Sequence, residues 1–157
     1  MFHRWAALVL VLALCAMSPK NAAGQTQSQQ PRGHGAGGIG GNYPNPFNPD
    51  THILFTVGDP SCTGGSEQHV VSMRILNVLA QFVATPLLEG GVANTSSIPG
   101  SMYGSPITNV KLGCGNYSAY WSGKIGKNNR EAASGVYLVQ LFVDNALSAT
   151  IKIYYAK

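Results

Sequence analysis

The amino-acid sequence predicts an all-β protein, an antiparallel sandwich of about seven strands. From Asn42 onward, short apolar segments are separated by Gly, Pro, Asn and Ser. Several of these segments alternate apolar and polar residues with a period of two, which is the pattern of a half-buried strand. No long stretch has the apolar spacing of a helix. Short strands with turn signals between them are typical of a β-sandwich.

Period-two alternation predicts the individual strands. Residues 136–143 are apolar on both faces, as expected for a central strand. Asp144-Asn145 is a tight-hairpin signal, and the strand after it is expected to carry Leu147, Ala149, Ile151, Ile153 and Tyr155 on one face. The predicted strands are residues 51–57, 69–76, 81–88, 117–121, 136–143 and 147–155.

Residues 1–24 have the layout of a secretory signal peptide. Arg4 is followed by an uncharged apolar run over residues 6–17, and small residues precede Gln25. The run is about a dozen residues long, whereas a membrane-spanning helix needs roughly 20, which disfavours a membrane anchor. A lipoprotein is a second alternative because of Cys15, but the residue before it is not small. We therefore expect an exported chain without a stable membrane span.

Residues 25–41 are rich in Gln and Gly and are expected to form a flexible leader. Such a composition buries too little apolar surface to offset the entropy lost on ordering. The domain itself is expected over residues 42–157. Within it, residues of about 90–113 are rich in Ser, Gly, Asn and Pro and predict a long surface loop that carries Met102, Tyr103 and Ile107.

The charge pattern argues against nucleic acid as a partner. The chain has ten Lys and Arg and six Asp and Glu. Removal of Arg4 and Lys20 with the signal peptide leaves eight basic residues against six acidic ones, and the basic residues are scattered. Nucleic-acid binding needs a clustered basic surface.

No pattern in the sequence predicts an enzyme. The carboxylates are isolated, whereas general acid–base catalysis needs two convergent groups. His52 and His69 lie on predicted strands, but no further ligand recurs at the spacing of a metal site. We expect no catalytic residues, no metal and no cofactor.

Two cysteines, Cys62 and Cys114, remain after signal-peptide cleavage. In an oxidising compartment, a lone pair of cysteines is most simply a disulfide. Closing a loop of about 50 residues would stabilise the fold by up to ~4 kcal/mol in the chain-entropy model. The alternative is a pair of free or metal-bound thiols, although two thiols without a nearby His pair make a poor zinc site.

Three segments, read in order, resemble one protein family. They are Tyr43-Pro44-Asn45-Pro46-Phe47-Asn48-Pro49, residues 71–84, and Tyr120-Trp121-Ser122-Gly123 followed by Ala133-Ser134-Gly135-Val136-Tyr137 and a terminal hairpin. Together they resemble the C-terminal sorting domain of type IX secretion cargo (Por secretion tail, type A). That domain is similar to the immunoglobulin-like domain of the flagellar hook-capping protein. The resemblance covers residues 42–157 apart from the predicted loop, although Ala80 stands where the family often has Gly.

The resemblance implies an immunoglobulin-like sandwich and assigns structural or sorting roles to its motif residues. Three prolines fix φ and remove donors, so we expect an extended segment with Phe47 at the end of the sandwich. Trp121 is expected in the core and Gly135 at a tight turn. The motif residues are Tyr43, Pro44, Asn45, Pro46, Phe47, Asn48, Pro49, Trp121, Gly123, Ser134, Gly135, Val136, Tyr137, Lys152 and Lys157.

By resemblance, the expected function is that of an exported, non-catalytic module recognised by the type IX secretion machinery. It would act as a surface or secreted binding or structural protein, with a partner bound through an edge strand or the terminal hairpin. The expected location is the outer-membrane surface or the medium, with the periplasm as the alternative. A subunit of an extracellular assembly that self-associates is a second hypothesis, and a small secreted hydrolase is a third.

Overall fold

The computed structural model describes residues 36–59, 67–91, 104–126 and 128–157. These residues form strands and no helix. The strands are β1 (Gly37–Tyr43), β2 (Thr51–Val57), β3 (Gln68–Leu76), β4 (Phe82–Ala84), β5 (Leu87–Gly91), β6 (Val110–Gly113), β7 (Gly115–Trp121), β8 (Lys124–Ile125), β9 (Arg130–Glu131), β10 (Gly135–Val143) and β11 (Ala146–Tyr155).

Two antiparallel sheets form the sandwich, which confirms the predicted fold class. The first sheet has the order β1-β2-β7-β5. The second has the order β11-β10-β3-β4, and β6 also pairs with β3. Since Val71 and Ile75 of β3 each pair with β10 on one side, β6 and β4 must lie along the opposite edge of β3. A small hairpin of β8 and β9 stands apart from the two sheets.

The core lies between the inward faces of the sheets. On β2, Ile53, Phe55 and Val57 are buried, as their alternation predicted. On β10, the inward residues include Val139 and Leu141, both fully buried. Over the described ranges, no helix is long and apolar enough to cross a membrane.

The glycine-rich segment before Asn42 is partly ordered, which corrects the predicted leader. Residues 37–41 belong to β1, which pairs with β2 from Gly37↔Val57 to Tyr43↔His52. A Cβ added at Gly37 would lie 2.6 Å from the Thr56 carbonyl oxygen, so glycine allows a close approach of two backbones there. The composition that predicted flexibility reflects close packing in this stretch. Residues 25–35, and the predicted signal peptide, lie outside the described residues.

The predicted loop at residues 90–113 is also partly wrong. β5 extends to Gly91, β6 covers Val110–Gly113, and Ile107 is fully buried. The Ile107 N–H donates to the Pro86 carbonyl, and the Ile107 carbonyl accepts from the Met73 N–H, so this residue links β3 to the connection between β4 and β5. Residues 92–103, with Met102 and Tyr103, lie outside the described residues.

The hairpin of β10 and β11 forms at Asp144-Asn145, as predicted. Both residues have positive φ, 51° and 64°, which suits the tight turns that join twisted antiparallel strands. The predicted face of β11 holds for Ile153 and Tyr155 but not for Leu147, which is 44% exposed. The pairing jumps from Leu141↔Ala149 to Phe142↔Leu147, so Ser148 is an extra residue and is buried. Such a bulge reverses the side on which earlier residues point.

Candidate functional site

The opening motif bends at one end of the sandwich and places Phe47 in the core. Phe47 is 1% exposed, and it forms a parallel bridge with Tyr155 at the end of β11. Its N–H donates to the Tyr154 carbonyl at 2.9 Å, and its carbonyl accepts from the Ala156 N–H at 3.0 Å. Contrary to the expected extended path, residues 44–46 are a succession of bends, and their three neighbouring X-Pro bonds are cis.

Polar contacts hold the remaining residues of the opening motif, which are exposed. The Pro44 carbonyl accepts hydrogen bonds from the Asn42 amide and the Thr51 hydroxyl, at 3.1 and 3.0 Å. The Asn45 side chain accepts from the Tyr154 N–H at 3.2 Å. Tyr43, Pro44, Asn45, Pro46, Asn48 and Pro49 are all exposed.

An aromatic cluster surrounds Phe47. Its ring centroid lies 5.3 Å from that of Trp121 and 4.9 Å from that of Tyr155. Trp121 in turn meets Tyr137 edge-on at 5.2 Å. The Trp121 indole N–H donates to the Lys124 carbonyl at 2.9 Å, which gives this buried polar group the partner it needs. Phe47, Trp121, Tyr137 and Tyr155 are named the motif-end cluster below.

Gly123 packs between Pro49 and the Tyr155 ring at the motif-end cluster. Its φ is +67°, and a Cβ built there would overlap the Pro49 carbonyl oxygen and lie 3.4 Å from the Tyr155 ring. Glycine is therefore required both by conformation and by space. The segment that follows Trp121 therefore contacts the opening motif directly.

The end of the chain is fastened to the same region. The Lys157 N–H donates to the Ser134 hydroxyl at 3.0 Å, and the Lys157 ammonium pairs with Glu131 at 2.7 Å. This hydrogen-bonded pair lowers the pKa of Glu131 and raises the pKa of Lys157. The Tyr137 hydroxyl donates to the Ala133 carbonyl at 2.9 Å, and burial raises the pKa of Tyr137.

The outward face of the terminal hairpin combines apolar and cationic side chains. Val136 pairs with Tyr154, and Leu138 pairs with Lys152. Val136 and Leu138 are half-buried, whereas Lys152 is exposed and Tyr154 is 46% exposed. Gly135 begins β10 opposite Tyr155, so the predicted turn residue lies at the start of this hairpin strand.

A polar cluster lies on the outward face of the first sheet. The His52 Nδ1 and the Ser118 hydroxyl both donate to one oxygen of Glu89, at 2.8 and 2.7 Å. Ser118 therefore contacts the carboxylate rather than the imidazole, which is not the arrangement of a nucleophile and its base. Tyr43 stacks on the imidazole with a centroid distance of 5.1 Å.

A second histidine cluster lies where β3, the β10–β11 turn and the β6–β7 junction meet. The His69 Nδ1 is 2.7 Å from Asp144 Oδ2, and its Nε2 is 3.7 Å from the Cys114 sulfur and 3.8 Å from a Glu67 oxygen. Hydrogen bonds from His69 and from the Val70 N–H lower the pKa of Asp144. The sequence did not predict this grouping, because its members come from distant segments with no shared spacing.

The cysteine limits what this second cluster can bind. One ligand atom from each of Glu67, His69 and Cys114 lies within 4.8 Å of the others, a spacing that would suit a metal ion. However, Cys114 is disulfide-bonded, and a thiolate is the form that ligates metal. The predicted partner, Cys62, lies outside the described residues, so the pairing of these two cysteines stays a prediction.

The turn between β3 and β4 exposes apolar side chains. Val78, Leu79 and Phe82 are 67%, 74% and 60% exposed. Beside them lies an open pocket with a volume of about 570 Å³, lined in part by Val83, Ile125 and Arg130. Val78, Leu79 and Phe82 are named the apolar turn below.

Comparisons with known proteins identify no relative of this chain. No protein-family model matches the sequence, and neither the curated proteins nor the solved structures include a significant match.

Proposed function

We propose that this chain is an exported, non-catalytic immunoglobulin-like module that the type IX secretion machinery recognises through the β10–β11 hairpin. Its role after delivery is that of a surface or secreted binding or structural protein. One observation carries the proposal: two of the three segments that resemble a sorting domain, residues 43–49 and 120–137, meet at the motif-end cluster, although they are far apart in the sequence. A shared motif whose parts pack together is better explained by one common structural task than by separate coincidences.

The hairpin offers a partner two kinds of contact. Its outward face presents Lys152 and Tyr154 beside half-buried Val136 and Leu138, and tyrosine is favoured at protein interfaces. β11 is also the last strand in the order of its sheet. Phe47 pairs with its end at Tyr155, and the rest of that edge lacks a paired strand among the described strands. Such an edge can accept a partner strand. The contacts of Phe47 with the end of β11 hold the hairpin in one position relative to the core.

Deletion of the hairpin would be a poor test of this function. β10 lies between β11 and β3, and Val139 and Leu141 are fully buried, so deletion removes part of the core. Loss of secretion would then report unfolding. Surface substitutions avoid this problem.

The test compares matched surface variants in a type IX-competent host. Lys152→Glu and Tyr154→Ser change the hairpin, and Lys111→Glu and Phe82→Ser change exposed residues of the same types elsewhere. We expect the hairpin variants to accumulate in the periplasm while the controls reach the surface or medium like the parent chain. Mass spectrometry of the fractions measures delivery, and circular dichroism of each purified variant checks folding. Equal delivery of all four variants, or periplasmic retention of the parent, would contradict the proposal.

The apolar turn favours a second candidate, a subunit of an extracellular assembly. Three large apolar side chains, each more than half exposed, are costly to leave in water unless a partner covers them. If copies of this chain associate through them, Leu79→Ser will shift sedimentation toward a monomer, whereas Leu147→Ser will not. A parent chain that sediments as a monomer at high concentration argues against this candidate and leaves secretion untouched.

A further inference from the structure

The apolar turn is held by its own hydrogen bonds. The Asn77 Oδ1 accepts from the N–H groups of Leu79 and Gln81, each at 3.0 Å. The Asn77 carbonyl accepts from the Ala80 N–H at 3.0 Å, and the Asn77 amide donates to the Gln81 side chain at 2.8 Å. Val78 and Leu79 are therefore exposed in a turn of fixed shape, and their exposure belongs to the folded protein.

The same hydrogen bonds lower the cost of moving the turn from water into lipid. A backbone N–H that loses water without finding another partner is costly. Three successive N–H groups, those of Leu79, Ala80 and Gln81, already have a partner in Asn77. A protein partner could supply hydrogen bonds of its own, whereas lipid acyl chains cannot. Internal pairing therefore favours lipid as the material that covers these side chains.

A row of paired residues extends this surface across the second sheet. Phe82 pairs with Leu76, and Leu76 pairs with Leu138. Leu138 in turn pairs with Lys152, which is exposed. Residues that are paired in this way lie side by side on one face of a sheet. The outward face next to the apolar turn thus carries apolar side chains and ends in a cation.

The pocket beside the apolar turn contains a second cation, Arg130. Phe82 and Arg130 both line this pocket. Arg130 pairs with Ile125 in the β8–β9 hairpin. The Gly126 N–H donates to the Val83 carbonyl at 3.3 Å, which fixes that hairpin against β4. Phe82 therefore belongs both to the apolar turn and to the wall of a cationic pocket.

The charge of Arg130 is not neutralised by a carboxylate. Among the residues that the structure describes, no Asp or Glu lines the pocket. The next residue, Glu131, is paired with Lys157, and neighbouring side chains of a strand point to opposite faces. Arginine matches phosphate with two parallel hydrogen bonds. A cation next to exposed apolar side chains is complementary to a lipid bilayer with anionic phosphate headgroups.

We propose that the apolar turn and Arg130 form a docking site for an anionic lipid bilayer. Val78, Leu79 and Phe82 enter the boundary between headgroups and acyl chains, and Arg130 binds a headgroup phosphate from the adjacent pocket. Lys152 approaches the same headgroup layer from the second sheet. This binding acts in addition to recognition of the β10–β11 hairpin.

The opposite end of the second sheet supplies matched controls. Leu147 is exposed just after the β10–β11 turn, and Lys111 is exposed on β6, where it pairs with Val70. The Val70 carbonyl also accepts from the Asp144 N–H in the β10–β11 turn, at 2.8 Å. Val70 lies near the start of β3, whereas the apolar turn follows its other end, about 20 Å away at the rise of a strand.

The experiment measures binding of the chain to lipid vesicles by co-sedimentation. The chain is purified after export, and mass spectrometry verifies that residues 1–24 have been removed, because their apolar run would itself bind lipid. The vesicles contain phosphatidylcholine alone, or equal parts of phosphatidylcholine and phosphatidylglycerol. We expect the parent to bind the anionic vesicles more tightly than the neutral ones, and to bind them less tightly as the salt concentration rises.

Four variants separate the two parts of the site. Leu79→Ser should weaken binding to the anionic vesicles by about tenfold or more, because it removes a large apolar side chain from the lipid. Arg130→Gln should weaken this binding by about fivefold, which is the effect of one basic residue near an anionic surface. Leu147→Ser and Lys111→Gln should stay within about twofold of the parent, because both lie more than a Debye length from the apolar turn. Lys152 is left unchanged, because the secretion proposal rests on it.

Two results with the parent alone would overturn the proposal: no binding to anionic vesicles, or equal binding to anionic and neutral vesicles. Equal losses in Leu79→Ser and Leu147→Ser, or in Arg130→Gln and Lys111→Gln, would overturn it as well, with the folding of each variant checked by circular dichroism. Sedimentation of the parent without vesicles tests the competing occupant, a second copy of this chain. A parent that self-associates through Leu79 and binds no vesicles would assign the apolar turn to an assembly, and the secretion proposal would still stand.

Discussion

Substitution of Gly123 by alanine tests whether the opening motif packs against the rest of the fold as described. The new Cβ would overlap the Pro49 carbonyl oxygen and lie 3.3 Å from its carbon, and neither backbone atom can move without the opening motif. Gly126→Ala is the matched control, because Gly126 has nearly the same φ, +65° against +67°, with nothing within 4 Å of the added carbon. The two variants therefore share the conformational cost and differ in the overlap.

The magnitudes follow from these two costs. A left-handed alanine costs about 1–2 kcal/mol, which is the expected loss of unfolding free energy in Gly126→Ala. Overpacking against a fixed neighbour adds about 1–3 kcal/mol, so Gly123→Ala should lose about 2–5 kcal/mol. Urea unfolding followed by far-ultraviolet circular dichroism gives both values. If the two variants agree within about 0.5 kcal/mol, the contact between Gly123 and Pro49 is not part of the folded state and the reasoning fails.

Further predictions concern β1, the β3–β4 turn and the acid limb of stability. Gly37→Ala should lower the unfolding free energy by about 1–3 kcal/mol because its Cβ would lie 2.6 Å from the Thr56 carbonyl, whereas Gly38→Ala, 3.5 Å from the Thr56 hydroxyl, should be neutral or stabilising in urea. Ala80→Gly should raise the melting temperature, because Ala80 has a φ of +59° and glycine removes about 1 kcal/mol of left-handed cost; an unchanged or lower value would contradict this. The lowered pKa of Asp144 means that its contribution to stability is present above pH about 4 and is lost as the pH falls, so Asp144→Asn should flatten the acid limb of a pH–stability curve; an acid limb as steep as the parent's would refute this.

The fold class could be predicted because the inward faces of β2, β3 and β10 follow a strict period of two. Alternation of this kind depends only on which face of a strand is buried, so it is visible in the sequence. The hairpin at Asp144-Asn145 was predictable for a similar reason, since its residues favour the left-handed conformation that the turn needs. Burial of Phe47 and Trp121 was predictable as well, because large aromatic side chains favour the core.

Other features were hidden for reasons that the structure makes plain. The bulge at Ser148 inserts one residue and reverses the face of Leu147, and an alternating pattern carries no sign of where such an insertion falls. Residues 37–41 of β1 have a composition that predicts a flexible leader, because close packing of backbones and flexibility both favour glycine. The cluster of His69, Asp144 and Cys114 forms only through tertiary contacts between residues up to 75 positions apart.

The backbone hydrogen bonds between Phe47 and the end of β11 also have a consequence for the order of folding. Asn45 and Tyr154, which are 109 positions apart, are joined by a hydrogen bond, and the core around Phe47 contains Tyr155. Contacts of such high contact order form late, after the long loops between them have closed. A chain that emerges from its N-terminus therefore cannot complete this core until residue 155 has also emerged. If the chain is exported from its N-terminus as proposed above, the domain therefore stays incomplete until its last strand has crossed the membrane, and an incomplete domain can still pass through a pore as an unfolded polypeptide.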